Sequence, residues 1–519
     1  MKKKLPIGLQ TFSEIIEEDY VYVDKTSFAH KLITRGKYYF LSRPRRFGKS
    51  LFLDTLAEIF MGNKDLCKGL YIHDRYGFKE HPVIRISFGS GDFIEEEEAE
   101  REIRNNFRRN LRDLGIKGKS AVLENYTTED YRTCFEELIY STWKEYNEKV
   151  VILIDEYDKP ILDNITEKAA ALKARQLLKR FYSVIKDNDR LIRFVFITGV
   201  SKFSKMNLFS GLNNLEDITI DANYAEICGY THNDLEKIFA LHLKGADYEM
   251  IRLWYNGYFY FGETVYNPFD ILLFISKGQE FRNYWWNTGN PSFLIQKLEQ
   301  DNYYIPRIED TVIPEESLDA FDVDHIDVTA LFWQTGYLTI KEKVTGEFGS
   351  VSYRLVIPNL EIQFSLNQFF IDYLTNQRYD KLTHKNAIRE AFKQEDFDQF
   401  IDVLKTIFSS IPYHNYANNI IAKYEGYYCS VVYVYLAALG YQVIAEDTTN
   451  RGRIDLTIIM EGKIVIIEFK VNSSQSPIKQ IKEKKYHEKY MHRQSRIYLV
   501  GINFDSKEKN ITDYEIEKL

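Results

Sequence analysis

Three clusters of residues in this chain have the types and spacing that chemistry on phosphate groups requires. The first is Arg43-Pro44-Arg45-Arg46-Phe47-Gly48-Lys49-Ser50, set between the strand-like run KYYFLS and a helical pattern. Gly48, Lys49 and Ser50 fit the end of the phosphate-loop pattern G-x-x-x-x-G-K-[S/T], with Arg43 standing where the first glycine belongs. Gly48 lets backbone N–H groups face phosphate oxygens, and Lys49 has the reach for the β and γ oxygens. Ser50 can ligate Mg²⁺, and a helix N-terminus favours the anion. Arg43, Arg45 and Arg46 offer further cationic contacts. The second cluster ends the apolar run Val150–Ile154 with Asp155-Glu156. Asp155 would hold Mg²⁺ through water or Ser50, and Glu156 would polarise an attacking water. A later apolar run, Arg193–Thr198, closes with Thr198-Gly199-Val200-Ser201. Either hydroxyl, Thr198 or Ser201, could sense a γ-phosphate or simply cap a turn. Together these residues predict a site for ATP and Mg²⁺.

The third cluster lies in RGRIDLTIIMEGKIVIIEFK. Two β-rich runs flank Glu461-Gly462, a two-residue hairpin loop. A register with Met460 opposite Lys463 puts Asp455 opposite Glu468, with Cβ atoms roughly 5 Å apart. Lys470 is two residues beyond Glu468 and shares its face. Two carboxylates that close repel unless a cation lies between them, which points to a hard metal ion. The lysine can then stabilise charge on a phosphorane-like transition state or orient a water. A hairpin with an ordinary charged solvent face is the alternative. The runs Ile458–Ile459 and Ile464–Ile467 argue against it, because a largely buried sheet needs partners for its charges.

Positioning these clusters calls for at least two α/β layers. Up to about residue 225, the runs Lys37–Ser42, Pro82–Phe88, Val150–Asp155 and Arg193–Thr198 alternate with helical patterns, which indicates a parallel sheet covered on both faces. Residues 226–415 read as mostly helical, with a strand pair near Tyr337–Lys341 and Ser352–Val356. Residues 416–519 read as a helix, the hairpin, a basic helix and the strand Arg496–Gly501, a small α/β unit. Between Lys479 and Arg496 seven Lys/Arg face only Glu483 and Glu488, while the whole chain carries a net charge of −8. A basic helix beside two carboxylates would suit a phosphodiester backbone, and a solvated helix is the plain alternative. Glu95–Glu98 followed by Arg101, Arg104, Arg108 and Arg109 looks like a binding patch but complements a helix dipole. With 45% hydrophobic and 28% charged residues the composition is globular. The four cysteines show no CxxC spacing, which excludes a disulfide scaffold and a structural zinc site. The basic start has no apolar segment behind it, and no run approaches the length of a membrane span. A cytoplasmic protein with no membrane partner is expected.

YVDKT (Tyr22–Thr26), SRPRRFGKS (Ser42–Ser50), ILIDEYDKP (Ile152–Pro160) and FITGVSKFS (Phe196–Ser204) resemble the predicted AAA-ATPase-like family of bacteria. WYNGYFY (Trp254–Tyr260), VYNPFDIL (Val265–Leu272), NTGNPSFL (Asn287–Leu294) and QTGYLTI (Gln334–Ile340) extend that resemblance. In it, RPRRFGKS is the usual loop, so Arg43 is a family trait. The stretch from about 320 to 375 is similar to the winged-helix element that follows such ATPase domains. Asp455 with Glu468-Phe469-Lys470 resembles the PD-(D/E)xK nuclease superfamily, although Ile454 replaces the proline of its first motif. Tyr424-Glu425-Gly426, Gly452-Arg453 and Gln480 through Tyr486 add to the likeness. The resemblance implies that Glu425 is an accessory metal ligand or orienter and Gln480 an accessory active-site residue.

The implied fold is α/β: a P-loop NTPase with a mostly parallel sheet over 1–225, a helical and winged-helix-like region over 226–415, and a restriction-endonuclease-like domain over 416–519. The implied activity is an ATPase joined to a Mg²⁺-dependent phosphodiesterase acting on nucleic acid, with DNA as the expected form. Its rival is an ATP-dependent switch whose nuclease-like domain binds nucleic acid without cutting it. The sequence leaves open whether a homo-oligomer forms.

Overall fold

Tyr38–Ser42 (β1) is buried along its whole length, as is all but the last residue of Val150–Asp155 (β3), so neither strand can lie at a wet surface. With Val83–Ser87 (β2), Ile192–Gly199 (β4) and the short Glu216–Asp217 (β5), they form a parallel sheet in the order β2-β3-β4-β1-β5. β4 separates β1 from β3, so the ends of all three point the same way. Phosphate loop and carboxylates therefore meet at one sheet edge. The structure, a computed structural model, describes all residues except 1, 90, 92, 94, 117–129, 203–211, 287–296, 299–303, 309, 319–326, 378–379, 413–424 and 494. NTGNPSFL, Tyr424 and the last two residues of FITGVSKFS lie outside the described residues.

The chain divides into two compact units. The first comprises Met1–Phe293 and Val312–Glu361, the second Leu294–Thr311 and Ile362–Leu519. The chain thus leaves the first unit, contributes a short excursion to the second, and returns. Beyond the parallel sheet, a three-stranded sheet of order β6-β8-β7 is built from Thr311–Pro314 (β6), Thr339–Thr345 (β7) and Val351–Val356 (β8). Helices Glu315–Leu318 and Val328–Thr335 lie between β6 and β7 in sequence. Asp327 caps the second of them by accepting from the Ala330 N–H at 2.8 Å. The winged-helix-like element expected over about 320 to 375 lies partly outside the described residues.

The second unit carries Gln442–Thr449 (β9), Gly452–Met460 (β10), Lys463–Val471 (β11), Arg496–Asp505 (β12) and Asn510–Lys518 (β13), in the order β13-β12-β11-β10-β9. Only β11 and β12 run parallel. The expected hairpin register holds: Met460 faces Lys463 and Leu456 faces Ile467. β9 and β13 were not anticipated from the sequence. Both are edge strands whose faces alternate polar and half-buried, so neither shows the continuous apolar run of an inner strand.

Candidate active sites

Gly48 adopts φ +91, a left-handed conformation costly for any residue with a Cβ, and it opens the helix Lys49–Phe60 (α1). Lys49 and Ser50 thereby occupy the first turn, where backbone N–H groups are free for an anion. Lys49 Nζ donates to the carbonyls of Arg43 (2.9 Å) and Pro44 (3.0 Å). Burial lowers the Lys49 pKa, and the nearby carboxylates of Asp155, Asp158 and Glu156 pull it back up. Arg45, Arg46, Gly48, Lys49, Ser50 and Glu156 line a cavity of about 460 Å³, a size that suits a nucleotide. Part of its lining is apolar, with Leu9, Tyr230, Phe269 and Leu272.

β3 delivers Asp155 and Glu156 to the same edge. Glu156 has φ +51, an uncommon conformation for a residue with a side chain and one found where function over-determines the backbone. Its N–H donates to Asp155 Oδ1 at 3.0 Å. Burial, and then the neighbouring Asp155 charge, push the Glu156 pKa up, as suits a base that must take a proton.

The structure does not bring Arg43 to this cavity. Its guanidinium is 1% exposed and donates to the carbonyls of Ser42 (2.9 Å), Thr219 (2.7 Å), Tyr224 (3.3 Å) and Ala225 (3.5 Å). It also lies 3.6 Å from the Tyr260 ring centroid. The phosphate contact expected of Arg43 is corrected accordingly: the side chain is committed to stitching β1 to the chain after β5. Thr198 is fully buried in β4 and its Oγ1 has no hydrogen-bond partner among the described residues, while Val200 reaches the cavity. Ser201 Oγ donates to Asp158 Oδ2 at 2.5 Å, and the N–H groups of Val200 and Ser201 donate to the same oxygen at 3.1 and 2.6 Å. Asp158 is thus a residue that sequence reasoning missed. It clamps the end of β4 against the end of β3, and its place in the string IDEYDKP was the available signal.

In the second unit, Asp455 and Glu468 emerge where the β10–β11 ladder ends. Asp455 Oδ2 accepts the Phe469 N–H at 2.8 Å. Glu468 is 1% exposed. Its Oε1 accepts from Lys470 Nζ at 3.4 Å and from Gln480 Nε2, the Asp455 backbone N–H also favours its charged form, and among the described residues its buried Oε2 has no side-chain partner. Gln480 is presented by the helix Pro477–Glu483, capped by Ser476. Burial and then the Asp455 charge push Glu468 up to about 8, and burial followed by the Glu425 charge raises Asp455 to about 6. Glu425, first residue of the helix Glu425–Ala437, is itself raised by burial, with Lys470 opposing. The structure thus brings together Asp455, Glu468, Lys470 and Gln480, with Glu425 close enough to be felt by Asp455. From the excursion, the Tyr304 hydroxyl lies 3.1 Å from Cys429 Sγ, one helical turn after Glu425.

An orphaned buried carboxylate oxygen beside a second carboxylate is the donor set a hard divalent cation needs. Among the described residues no three His, Cys, Asp or Glu side chains converge into a closed cage. The basic helix is more neutral than its composition. Lys479, Lys482, Lys485, Lys489 and Arg496 pair with Glu483, Glu517, Glu488, Asp447 and Glu395 respectively.

Comparison with known proteins agrees with both halves of this geometry. Residues 6–209 match the family described as predicted AAA-ATPase, and residues 423–514 match the PD-(D/E)XK nuclease superfamily. Over its whole length the chain is 45% identical to a protein of Azotobacter chroococcum mcd 1 described as "Uncharacterized protein in vnfD 5'region", covering 99% of that relative. The chain belongs to the predicted AAA-ATPase family with a C-terminal PD-(D/E)XK nuclease-superfamily domain. AAA-ATPase-like and PD-(D/E)XK domains generally use a nucleotide and a divalent metal. No helix among the described residues is long and apolar enough to cross a membrane.

Proposed function

We propose that the chain hydrolyses ATP in the first unit and cleaves phosphodiester bonds of nucleic acid, DNA in the first instance, in the second. The observation that carries the nuclease half is Glu468: a buried carboxylate tethered on one oxygen by Lys470 and Gln480 and with no side-chain partner among the described residues on the other, beside Asp455. A divalent ion, Mg²⁺ in this reading, would supply Lewis acidity to the scissile phosphate and lower the pKa of a bound water. Asp455 and Glu468 would hold it, with Glu425 as accessory. Gln480 fixes the rotamer of Glu468, and Lys470 sets a positive charge where the transition state gains negative charge.

In the ATP cavity, Lys49 exchanges its two loop carbonyls for β and γ phosphate oxygens. Asp155 and Ser50 would hold Mg²⁺. Glu156, its pKa raised, takes a proton from the attacking water. Arg45 and Arg46 remain available to the phosphates, and the apolar part of the lining faces the base. The deciding experiment incubates the purified protein with plasmid and linear DNA, with and without Mg²⁺ and ATP. Nicking that requires Mg²⁺ and is lost in Glu468→Gln supports the nuclease; binding without cutting in every condition leaves the switch reading standing instead.

A further inference from the structure

The strings VYNPFDIL and QTGYLTI and the tryptophan Trp285 carry no evident chemistry, yet each reaches the phosphate loop. Asn267 Nδ2 donates to the Arg45 carbonyl at 3.3 Å, and the Trp285 indole N–H donates to the same oxygen at 3.1 Å. The Arg46 guanidinium lies 5.0 Å from the Phe269 ring centroid. A Cβ on Gly336 would come within 2.7 Å of the Pro44 ring, so only glycine permits that approach. Three segments far apart in sequence therefore grip the loop between Pro44 and Arg46.

Behind them sits a pair of acids with no described ion-pair partner. The Trp285 backbone N–H donates to Glu361 Oε1 at 2.8 Å. Asp270, in the helix Pro268–Ser276 that starts beside Asn267, adjoins Glu361; the two are 1% and 0% exposed. Neither oxygen of Asp270, nor Glu361 Oε2, receives a donor from any other described side chain. Two adjoining buried carboxylates cannot both be ionised, and one proton between them satisfies the pair. Burial, then the Glu361 charge, push Asp270 up, and burial raises Glu361 as well, so the pair holds one proton between them. The titratable groups that feel the pair are the phenols of Tyr255, Tyr258 and Tyr284, each raised by burial and hence neutral at physiological pH.

We propose that Asp270 and Glu361, bridged by one shared proton, are positioning residues for the phosphate loop: Glu361 holds the Trp285 backbone N–H, Asp270 anchors the first turn of the helix that Asn267 caps, and Asn267 and Trp285 together hold the Arg45 carbonyl. The proposal rests on reading the cavity as the Mg·ATP site. Neither acid touches the nucleotide. Loss of the bridging proton sets two charges against each other and releases the grip, so nucleotide affinity falls as pH rises.

The test measures Mg·ATP binding to the full chain by calorimetry from about pH 6 to about pH 9, with the nucleotide-free melting temperature as a check on folding. Trp285→Phe keeps an aromatic ring but removes the indole N–H, and should weaken binding about tenfold. Asp270→Asn replaces the shared proton with a permanent amide N–H. It should bind as wild type does near neutrality and lose the alkaline fall in affinity that wild type shows. If Asp270→Asn and wild type trace the same pH profile, or a folded Trp285→Phe binds normally, the positioning role is overturned while the nucleotide reading stands. If wild type binds no Mg·ATP at any pH, both are overturned.

Discussion

The two sites stand in opposite electrostatic conditions. In the first unit Lys49 satisfies its charge with two carbonyls of its own loop, so the loop is at rest without a phosphate. In the second, Glu468 keeps a buried oxygen with no side-chain partner among the described residues, and Asp455 adjoins it with a raised pKa, so under the proposed function that site is at rest with a cation or extra protons. A site that can neutralise itself suits a ligand that comes and goes on each turnover. A site that cannot suits a resident ion. The difference teaches that one chain can store its cost in different places: as displaced lysine bonds in one unit and as carboxylate repulsion in the other.

The sharpest break in this comparison is at the hairpin. Asp455→Asn or Glu468→Gln should reduce Mg²⁺-dependent plasmid nicking by about 10³-fold or more, because the charge that holds the ion goes. ATP hydrolysis should persist in both, measured as phosphate release. Loss of both activities together would mean that the two sites are not independent. On the other side, Glu156→Gln should slow ATP hydrolysis by about 10²-fold while retaining bound nucleotide, as single-turnover assays would resolve.

A third variant contrasts two neighbouring arginines. Arg43→Ala removes the guanidinium donor from four carbonyls and empties a space against Tyr260, so it should cost about 3 kcal/mol of stability in chemical denaturation. Arg45→Ala should leave stability nearly unchanged and raise the KM for ATP. Equal melting of the two variants would contradict the structural role given to Arg43.

The smallest effect is a pH signature. Asp455 and Glu468 have folded-state pKa values near 6 and 8, above those of an unfolded chain. The folded protein therefore holds extra protons, and metal-free stability falls as pH rises from about 4 through about 8. Mg²⁺ competes with those protons, so the stabilisation it confers should grow over the same window, reaching about 2.7 kcal/mol at a hundredfold excess over its Kd. Asp455→Asn keeps an acceptor for the Phe469 N–H while removing one charge. It should melt at or above the wild-type temperature without metal and lose the Mg²⁺ shift.

What was legible in the sequence was local. The hairpin register follows from a two-residue loop, and the side-chain period of two then fixes Asp455, Glu468 and Lys470 on one face. The apolar runs likewise marked the buried strands β1 to β4. What was hidden depends on tertiary contact. Nothing in RPRRFGKS says that its first arginine turns inward to four carbonyls while the next two face the cavity. Trp285 reads as core and is buried, but its indole N–H is aimed at a loop 240 residues away in sequence. The pairing of the basic residues after Lys479 was hidden too, because their acidic partners Asp447, Glu395 and Glu517 come from other elements.

The excursion of Leu294–Thr311 into the second unit has a consequence for how such a protein can be taken apart or inherited. A gene fragment starting at Ile362 would encode the hairpin, Glu425 and Gln480, yet would lack Tyr304, whose ring lies 3.3 Å from where a Cβ on Gly426 would stand. A fragment ending at Glu361 would instead carry that segment with nothing to dock on. No single crossover exchanges one unit intact, so lineages that swap nuclease halves must move two pieces of coding sequence at once. The simpler course is to pass both domains on as one indivisible reading frame.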